Sequence, residues 1–573
     1  MATSTLPTAT SQFRSLLVRW LPLVWYLALA LIATQPLVLH LTSALPLAGK
    51  PPATVPLFNL WTLWWNADRA AAGFAGYWDA PIFAPTASTF AFSEPQPTLV
   101  AVAPLVWLTG SRILAYNVYL LLALVLNGWA AHGLIRSRGG DWLTCCLAGT
   151  LVELLPWVSW QLDCLQLVPI WGVIWTAGAL FRLLERPCWN AAWQLGVAHG
   201  LTYWLCNYYG LFQTLLLSVA GLCLVGPSLL RWRTWGLLLA SAGISASLVL
   251  PLALKQRAVM RQAETFVRDR QLIVNLSASL RDYTDPPGRS LLPQLAIPDP
   301  QRHAVDWRLG PGNLRLLIVP FGFLAVLLTA GRRRWTLFWA VYGLTALALS
   351  LGPDNRFWGG SPYDWLREHV PGFGQIRSPF RFAMFVQLAV LVLVVEALQA
   401  LRPRTVRNGL AKFGRWLPYA GLAAVALLDV LPIRQTLWHV PKGGVPEWVR
   451  WLRDEAEPDG VVLQLPQPAG TTVDDYEIST LSMYWQMDHR RPLVAGYSGF
   501  FPERVTHIRD QLWEFPAPHT LPAANACGAR YVVLPRDLAE PGWLLQQPPL
   551  HLRWMHQTAD EAAGMDVYEI VWP

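Results

Sequence analysis

Arginines recur in clusters along this chain: Arg14 and Arg19, Arg136 and Arg138, Arg182 and Arg186, Arg231 and Arg233, Arg332 to Arg334, then Arg402, Arg404, Arg407 and Arg415. Pairs of apolar stretches separate successive clusters. A chain that crosses a bilayer repeatedly produces this ladder, because loops rich in Lys and Arg are retained on the cytoplasmic side while the helices between them span in pairs. The composition agrees: 573 residues with 54% hydrophobic and only 14% charged residues carry more apolar surface than a soluble multidomain protein of this size would bury. The fold class expected is an α-helical polytopic membrane protein.

Charge excludes a second class. The net charge of +8 is concentrated at the ends of apolar stretches and not along one amphipathic face, which argues for topology and against nucleic acid as a partner. Seven cysteines without a CxxC spacing, most inside apolar stretches, read as small buried hydrophobes and not as disulfides or metal ligands. The segment after Arg19 is long enough to span and lacks a cleavage pattern, so it is expected to stay as the first helix.

A span needs about 20 mostly apolar residues. Candidates lie at 20–43, 115–135, 142–160, 165–184, 191–206, 209–229, 234–253, 314–331, 335–352, 383–401 and 416–435, so about 11 transmembrane helices are expected. Starting inside and crossing an odd number of times leaves the C-terminus outside. Large outward loops then fall at 44–114, 254–313 and 353–382, followed by an outward tail. The expected division is a transmembrane domain over 1–436 with these loops, and a small C-terminal extracytoplasmic α/β domain over 437–573. That tail has a helical pattern at Val445 to Glu455, strand-like runs at Val461 to Leu465, Tyr531 to Leu534 and Val567 to Val571, and a further helix over Pro502 to Glu514. In the first outward loop, Leu57 to Trp65 is too short and too rich in tryptophan for a span and suggests a helix lying at the membrane interface.

No Walker P-loop, GxGxxG, HExxH or GxSxG is present. Chemistry is therefore sought in acids, arginines and aromatics of the outward segments. Several motifs carry a family likeness: Asn59-Leu60-Trp61, the stretch from Trp78-Asp79-Ala80-Pro81 to Phe92-Ser93-Glu94, Ala115-Tyr116-Asn117, Pro371-Gly372-Phe373 through Arg377-Ser378-Pro379-Phe380-Arg381-Phe382, and Gly496-Tyr497-Ser498-Gly499-Phe500. Together with the long first outward loop and the outward tail, they resemble an uncharacterised bacterial branch of the GT-C class of integral-membrane glycosyltransferases, which use polyprenyl-phosphate sugars.

The resemblance implies a glycosyltransferase of the bacterial inner (plasma) membrane, N-terminus cytoplasmic and C-terminal domain extracytoplasmic. It would move a hexosyl or pentosyl unit from a polyprenyl-phosphate donor to a cell-envelope glycan, lipid or protein acceptor. In this class an acid early in the first outward loop acts as general base or as ligand of a divalent metal ion. A carboxylate suits the first task because, within hydrogen-bond reach of the acceptor hydroxyl, it takes the proton as attack proceeds. This chain departs there: no Asp or Glu lies between Pro46 and Asn59, and Val55 stands where the related proteins carry an acid. The remaining catalytic candidates are Asp79, Glu94 and Asp68. Each also has a structural reading: Asp79 as the start of a turn, Asp68 as a surface pair with Arg69, Glu94 as a helix cap.

For the donor phosphate the candidates are Arg377, Arg381 and Arg268, since guanidinium groups bind phosphate oxygens bidentately and stay charged. The alternative for the first two is snorkelling to headgroups. The 254–313 loop is basic throughout, with Lys255, Arg257, Arg261, Arg268, Arg270, Arg281 and Arg289, which suits anionic lipid or a phosphorylated donor as readily as a solvated face. Asn59, Trp61, Asp163, Gln166 and Tyr209 are candidates for lining a reaction chamber. Glu153 and Asp163 are acids within apolar stretches, where charge is costly and usually faces a cavity or a partner. Two other classes stay open: a catalytically inactive lipid-glycan binding or assembly protein, and a transporter or flippase.

Overall fold

The computed structural model describes residues 9–224, 231–261, 267–295, 297, 307–327, 332–356, 359–401, 409–432, 434–470, 472–536, 551–557 and 564–572. Arg402, Arg404 and Arg407 of the arginine ladder, and parts of the 254–313 loop and of the tail, lie outside the described residues. The chain forms two compact units: one of Met1–Leu39, Tyr119–Val249 and Arg268–Gln435, the other of His40–Val118, Leu250–Val267 and Thr436–Pro573. The second unit holds all of the 44–114 segment together with the segment from Thr436.

The first unit is helical. Among the described residues, six helical segments are long and apolar enough to cross a membrane: Arg112–Ser137, Trp142–Trp160, Leu165–Glu185, Asn207–Leu224, Trp232–Met260 and Pro379–Ala400. Other expected spans are shorter as helices. The 20–43 stretch ends its helix at Ala33, since cyclic Pro36 cannot continue the ladder and the chain resumes only as the short turn Leu37–His40. Asn313–Leu324 and Tyr419–Leu428 likewise are short apolar helical stretches.

Burial separates a central helix from a peripheral one. Within its most apolar window, Pro379–Ala400 is 94% buried, whereas Trp232–Met260 is 17% buried. An apolar helix buried on all sides is a bundle core, and one left bare is a lipid face. The bare helix docks through Gly196 and Gly200 of Trp189–Leu205: a Cβ on Gly196 would come within 2.6 Å of the Ser241 carbonyl oxygen, and one on Gly200 within 2.5 Å of Leu248. Small residues four apart let two backbones approach, a common basis of helix association in lipid.

One arginine is locked inside this unit by backbone groups. Arg315, 1% exposed, donates from Nε to the Ala426 carbonyl at 2.7 Å and from Nη1 to the Pro311 carbonyl at 2.9 Å. Its backbone N–H donates to Asp429 Oδ2 at 3.1 Å. Buried charges persist only when paired and hydrogen-bonded like this.

The second unit is built on the helix Thr54–Ala71. Instead of presenting one face to a membrane interface, Thr54 and Pro56 through Ala67 are buried within the protein. Its tryptophans find partners there: Trp61 stacks parallel to Trp65, with ring centres 6.3 Å apart, and Trp61 Nε1 donates to Gln486 Oε1 at 2.9 Å. The helix carrying Gln486 is Glu477–His489. A four-stranded sheet completes the unit in the order Val461–Gln464, Ala529–Pro535, Met565–Val571, His551–Gln557. The first pair is parallel, with Leu463 opposite Val532, and the others are antiparallel, with Val533 opposite Val567. Leu463, Val532, Leu534 and Ile570 of the sheet pack with Leu512, Phe515, Ala524 and Cys527 in one apolar cluster.

Candidate functional site

Three motifs of the first outward loop and the tail are brought together in the second unit. The Pro81 carbonyl accepts from the Leu493 N–H at 3.0 Å, and the Ala84 N–H donates to the Leu493 carbonyl at 2.9 Å. Farther along, the Phe500 N–H donates to the Phe92 carbonyl at 2.9 Å. The approach is close at this junction: a Cβ on Gly496 would stand 3.0 Å from Ile82 Cβ and 3.2 Å from Phe83. The aromatic, proline-rich stretch 78–94 is thus laid against 493–500 by backbone hydrogen bonds, with Ala91, Phe92, Val259 and Phe500 forming a small apolar cluster behind it.

The three candidate acids occupy distinct environments. Asp79 is exposed, and its Oδ1 accepts the Ser88 N–H at 2.8 Å. It closes the turn in which Ser88 holds a left-handed φ of 56°, and Lys255 Nζ donates to Ser88 Oγ at 2.9 Å. Asp68, 13% exposed at its side chain, is held by Arg69 and by Arg490, whose Nη2 lies 3.2 Å from Oδ1. Glu94 differs: both its carboxylate oxygens are shielded from solvent. The segment after it is pinned to the core helix, since Asn66 Nδ2 donates to the Pro95 carbonyl at 2.8 Å and Gln96 Nε2 donates to Asn59 Oδ1 at 2.8 Å. Tyr77 completes this network by donating to Asn66 Oδ1 at 2.9 Å. Among the described residues no group of three or more His, Cys, Asp and Glu side chains is gathered that could hold a metal ion.

In the first unit, Arg268 meets the motif that carries Arg377 and Arg381. The Arg268 N–H donates to the Gly374 carbonyl at 3.0 Å, and the Phe380 N–H donates to the Leu276 carbonyl at 3.3 Å. Arg268 is 9% exposed, and its own carbonyl accepts from Arg367 Nη2 at 2.9 Å. The Arg381 guanidinium lies over the Tyr208 ring, 4.2 Å from its centre, a cation–π geometry that helps fix the group. Aromatics brace both flanks: Phe382 stacks on Phe212 at 3.7 Å and Phe380 on Trp307 at 3.9 Å. Arg377 is half-buried in the same stretch. Reading the sequence did not single out Arg367. Its only local signal is its place in the outward segment 353–382, on the helix Pro362–His369 capped by Ser361.

The chamber candidates are mostly packed into protein. Asn59 and Tyr209 are fully buried and Trp61 is 1% exposed. Tyr209 donates to the Leu167 carbonyl at 2.8 Å and accepts from Trp157 Nε1 at 2.8 Å. Asp163 is 9% exposed, and Gln166 is half-buried on the short turn Leu165–Leu167. Glu153, 2% exposed, finds no hydrogen-bond partner for either carboxylate oxygen among the described residues.

No family model and no curated protein matches the chain. Solved structures do. The arabinofuranosyltransferase AftD from mycobacteria aligns over 97% of this chain and 41% of its own, with 14% identity and a TM-score of 0.51. The archaeal oligosaccharyltransferase AglB from Archaeoglobus fulgidus, solved with an inhibitory peptide and a dolichol-phosphate, aligns over 94% of this chain and 71% of its own, with 13% identity and a TM-score of 0.49. The chain therefore spans less than half the length of AftD. The likeness to AftD shows a shared fold and nothing beyond it.

Proposed function

We propose that this protein is a glycosyltransferase that moves a sugar from a polyprenyl-phosphate donor to an envelope acceptor on the outer face of the bacterial inner membrane. In this reading the chain crosses the bilayer about 11 times, with its N-terminus in the cytoplasm and residues 437–573 outside. The observation that carries the reading is a GT-C fold in which Arg268 is hydrogen-bonded into the same stretch as Arg377 and Arg381. Arginine suits a lipid phosphate because its guanidinium binds phosphate oxygens bidentately as their charge grows on leaving. No nucleotide is required, because the phosphate itself is the leaving group.

The reaction needs few parts. A carboxylate takes the proton of the acceptor hydroxyl, the hydroxyl oxygen bonds to the anomeric carbon, and the bond from that carbon to the phosphate oxygen breaks with its electron pair going to the phosphate. Glu94 suits the base best of the three acids, since its oxygens are withdrawn from water and its backbone is anchored to the core helix. A metal ion would need a gathered ligand set, which the described residues do not supply, so no step is assigned to one.

The test is transfer by the purified protein in lipid nanodiscs, with radiolabelled polyprenyl-phosphate sugars and an envelope extract as acceptor. Transfer that is lost in Glu94→Gln and Arg381→Ala supports the reading. Donor binding without transfer moves the protein to the lipid-glycan binding class, and absence of both removes this donor class.

A further inference from the structure

A second feature of the unit containing the tail is not used by this reaction. An open cleft of about 320 Å³ is lined by Pro468, Ala469, Asp510, Trp513, Glu514 and His519. Its volume is at the low end for small-molecule sites, enough for one or two sugar rings. The helix Glu503–Leu512 continues into Trp513 with helical geometry, so Asp510 and Trp513, spaced i and i+3, share one face, and Glu514 follows in the turn beyond. Leu512 is fully buried and Phe515 is 2% exposed, yet Trp513 between them is 55% exposed. The flanking residues are anchored in the apolar cluster of the sheet, which holds the backbone that carries the indole.

Exposed tryptophan beside unspent carboxylate capacity is informative, because an indole left in water forfeits the gain of burying it. Arg509 holds the two walls in place: Nη1 donates to the Gly470 carbonyl at 2.9 Å, while Nε and Nη2 donate to Asp510 Oδ1 at 2.9 and 2.7 Å. Both bonds to Asp510 land on one oxygen, so Oδ2 keeps its acceptor sites, each carboxylate oxygen having room for about two. Glu514 Oε2 lies 3.3 Å from His519 Nε2, setting an acceptor and a ring nitrogen side by side. A flat apolar platform flanked by acceptors matches a neutral saccharide, which shows C–H bonds on its ring face and hydroxyl donors around its rim.

We infer that the cleft at Trp513 is a saccharide-binding site that holds the glycan portion of the acceptor away from the reacting end. Trp513 carries the ring face, and Asp510 and Glu514 accept from hydroxyls. This inference rests on the transferase reading only for the glycan being an acceptor; binding itself does not depend on it.

The experiment titrates the full-length protein in nanodiscs with maltohexaose, mannohexaose and arabinohexaose by isothermal calorimetry. In parallel, the same preparation is assayed for transfer to a single-sugar alkyl glycoside. The expected result is that at least one hexasaccharide binds, that Trp513→Ala weakens it about tenfold or more, and that Trp513→Phe retains part of the affinity. Transfer to the short glycoside is unchanged in Trp513→Ala, and circular dichroism of the variants matches the wild type. Absence of binding by all three sugars, or equal binding by wild type and Trp513→Ala, overturns the cleft while leaving the transfer assay to judge the catalytic reading. Trp513-dependent binding without any transfer keeps the cleft and removes the transferase.

Discussion

The backbone of Arg268 donates to the carbonyl of Gly374, which puts an arginine of the basic loop onto the stretch bearing Arg377 and Arg381. Arg367 joins them by donating to the Arg268 carbonyl. Arg270, by contrast, is paired with Asp354 and Asp364.

Arg381→Ala is expected to raise the KM for a polyprenyl-phosphate donor roughly 10- to 150-fold, the equivalent of about 1.5–3 kcal/mol for a charge-assisted hydrogen bond. Arg381→Lys keeps the charge but loses the planar fork and the stacking over Tyr208, so it falls between the two. Initial rates at varied donor concentration distinguish these cases. An unchanged KM in both variants removes Arg381 from donor binding.

The three acids respond differently to amide substitution. Glu94→Gln is expected to lower kcat by about 10²-fold or more while leaving donor affinity in place, the pattern for loss of a general base. Asp79→Asn keeps an oxygen for the Ser88 N–H and changes the rate little. Asp68→Asn weakens the contacts to Arg69 and Arg490 and lowers stability by about 0.5–1 kcal/mol, the range for exposed to partly exposed ion pairs. If Asp79→Asn is the variant that loses kcat, the base has been assigned to the wrong acid.

Much of the helical scaffold was legible from period, length and the arginine ladder, because those signals are local. The Leu165–Glu185 helical segment and the Ala383–Leu401 helix fall within a residue of the stretches at 165–184 and 383–401. What could not be read locally was partnership. Leu57 to Trp65 has the composition of an interfacial helix, yet its indoles are buried because Gln486, far away in sequence, meets Trp61. The same holds for the site. The motifs at 78–94 and 493–500 were each visible, but their pairing through Pro81, Ala84, Phe92 and Phe500 is a tertiary event that no spacing encodes. Trp513 carried a signal that went unread, since its i, i+3 spacing from Asp510 was present in the sequence.

Gln486 ties three segments together. It accepts from Trp61 Nε1, and its Nε2 donates to the Arg491 carbonyl at 3.0 Å and to the Pro81 carbonyl. Gln486→Leu keeps most of the volume but leaves buried polar groups without a partner, at about 1–3 kcal/mol for each group that water cannot reach. A fall in melting temperature of several degrees is expected by intrinsic fluorescence in detergent, and Gln486→Glu should retain the Trp61 bond while losing the donors to the two carbonyls. A melting temperature unchanged by the leucine would mean that solvent reaches this junction.

His489 gives the second unit a pH dependence. It is 1% exposed, its Nδ1 accepts the Arg491 N–H at 3.0 Å, and burial, with Arg491 nearby adding to the effect, pushes its pKa down to about 3. The folded protein therefore holds the ring neutral, while in the unfolded chain it takes up a proton near pH 6.5. The unfolded state binds more protons between these two values, so stability is fully present above about pH 6.5 and is lost as pH falls toward 3, by up to about 1.4 kcal/mol per pH unit. Thermal melts of the wild type at pH 7.5 and 5 should show a clear loss at the lower pH. His489→Asn retains an acceptor for the Arg491 N–H but cannot titrate, so the gap between its two melts should shrink. An equal gap in wild type and variant would assign the acid sensitivity to other groups. Because the helix bearing His489 also supplies Gln486, acid that loosens this helix is expected to release the 78–94 stretch with it, and the loss of transfer at low pH should follow the melting curve and not the protonation of the catalytic acid.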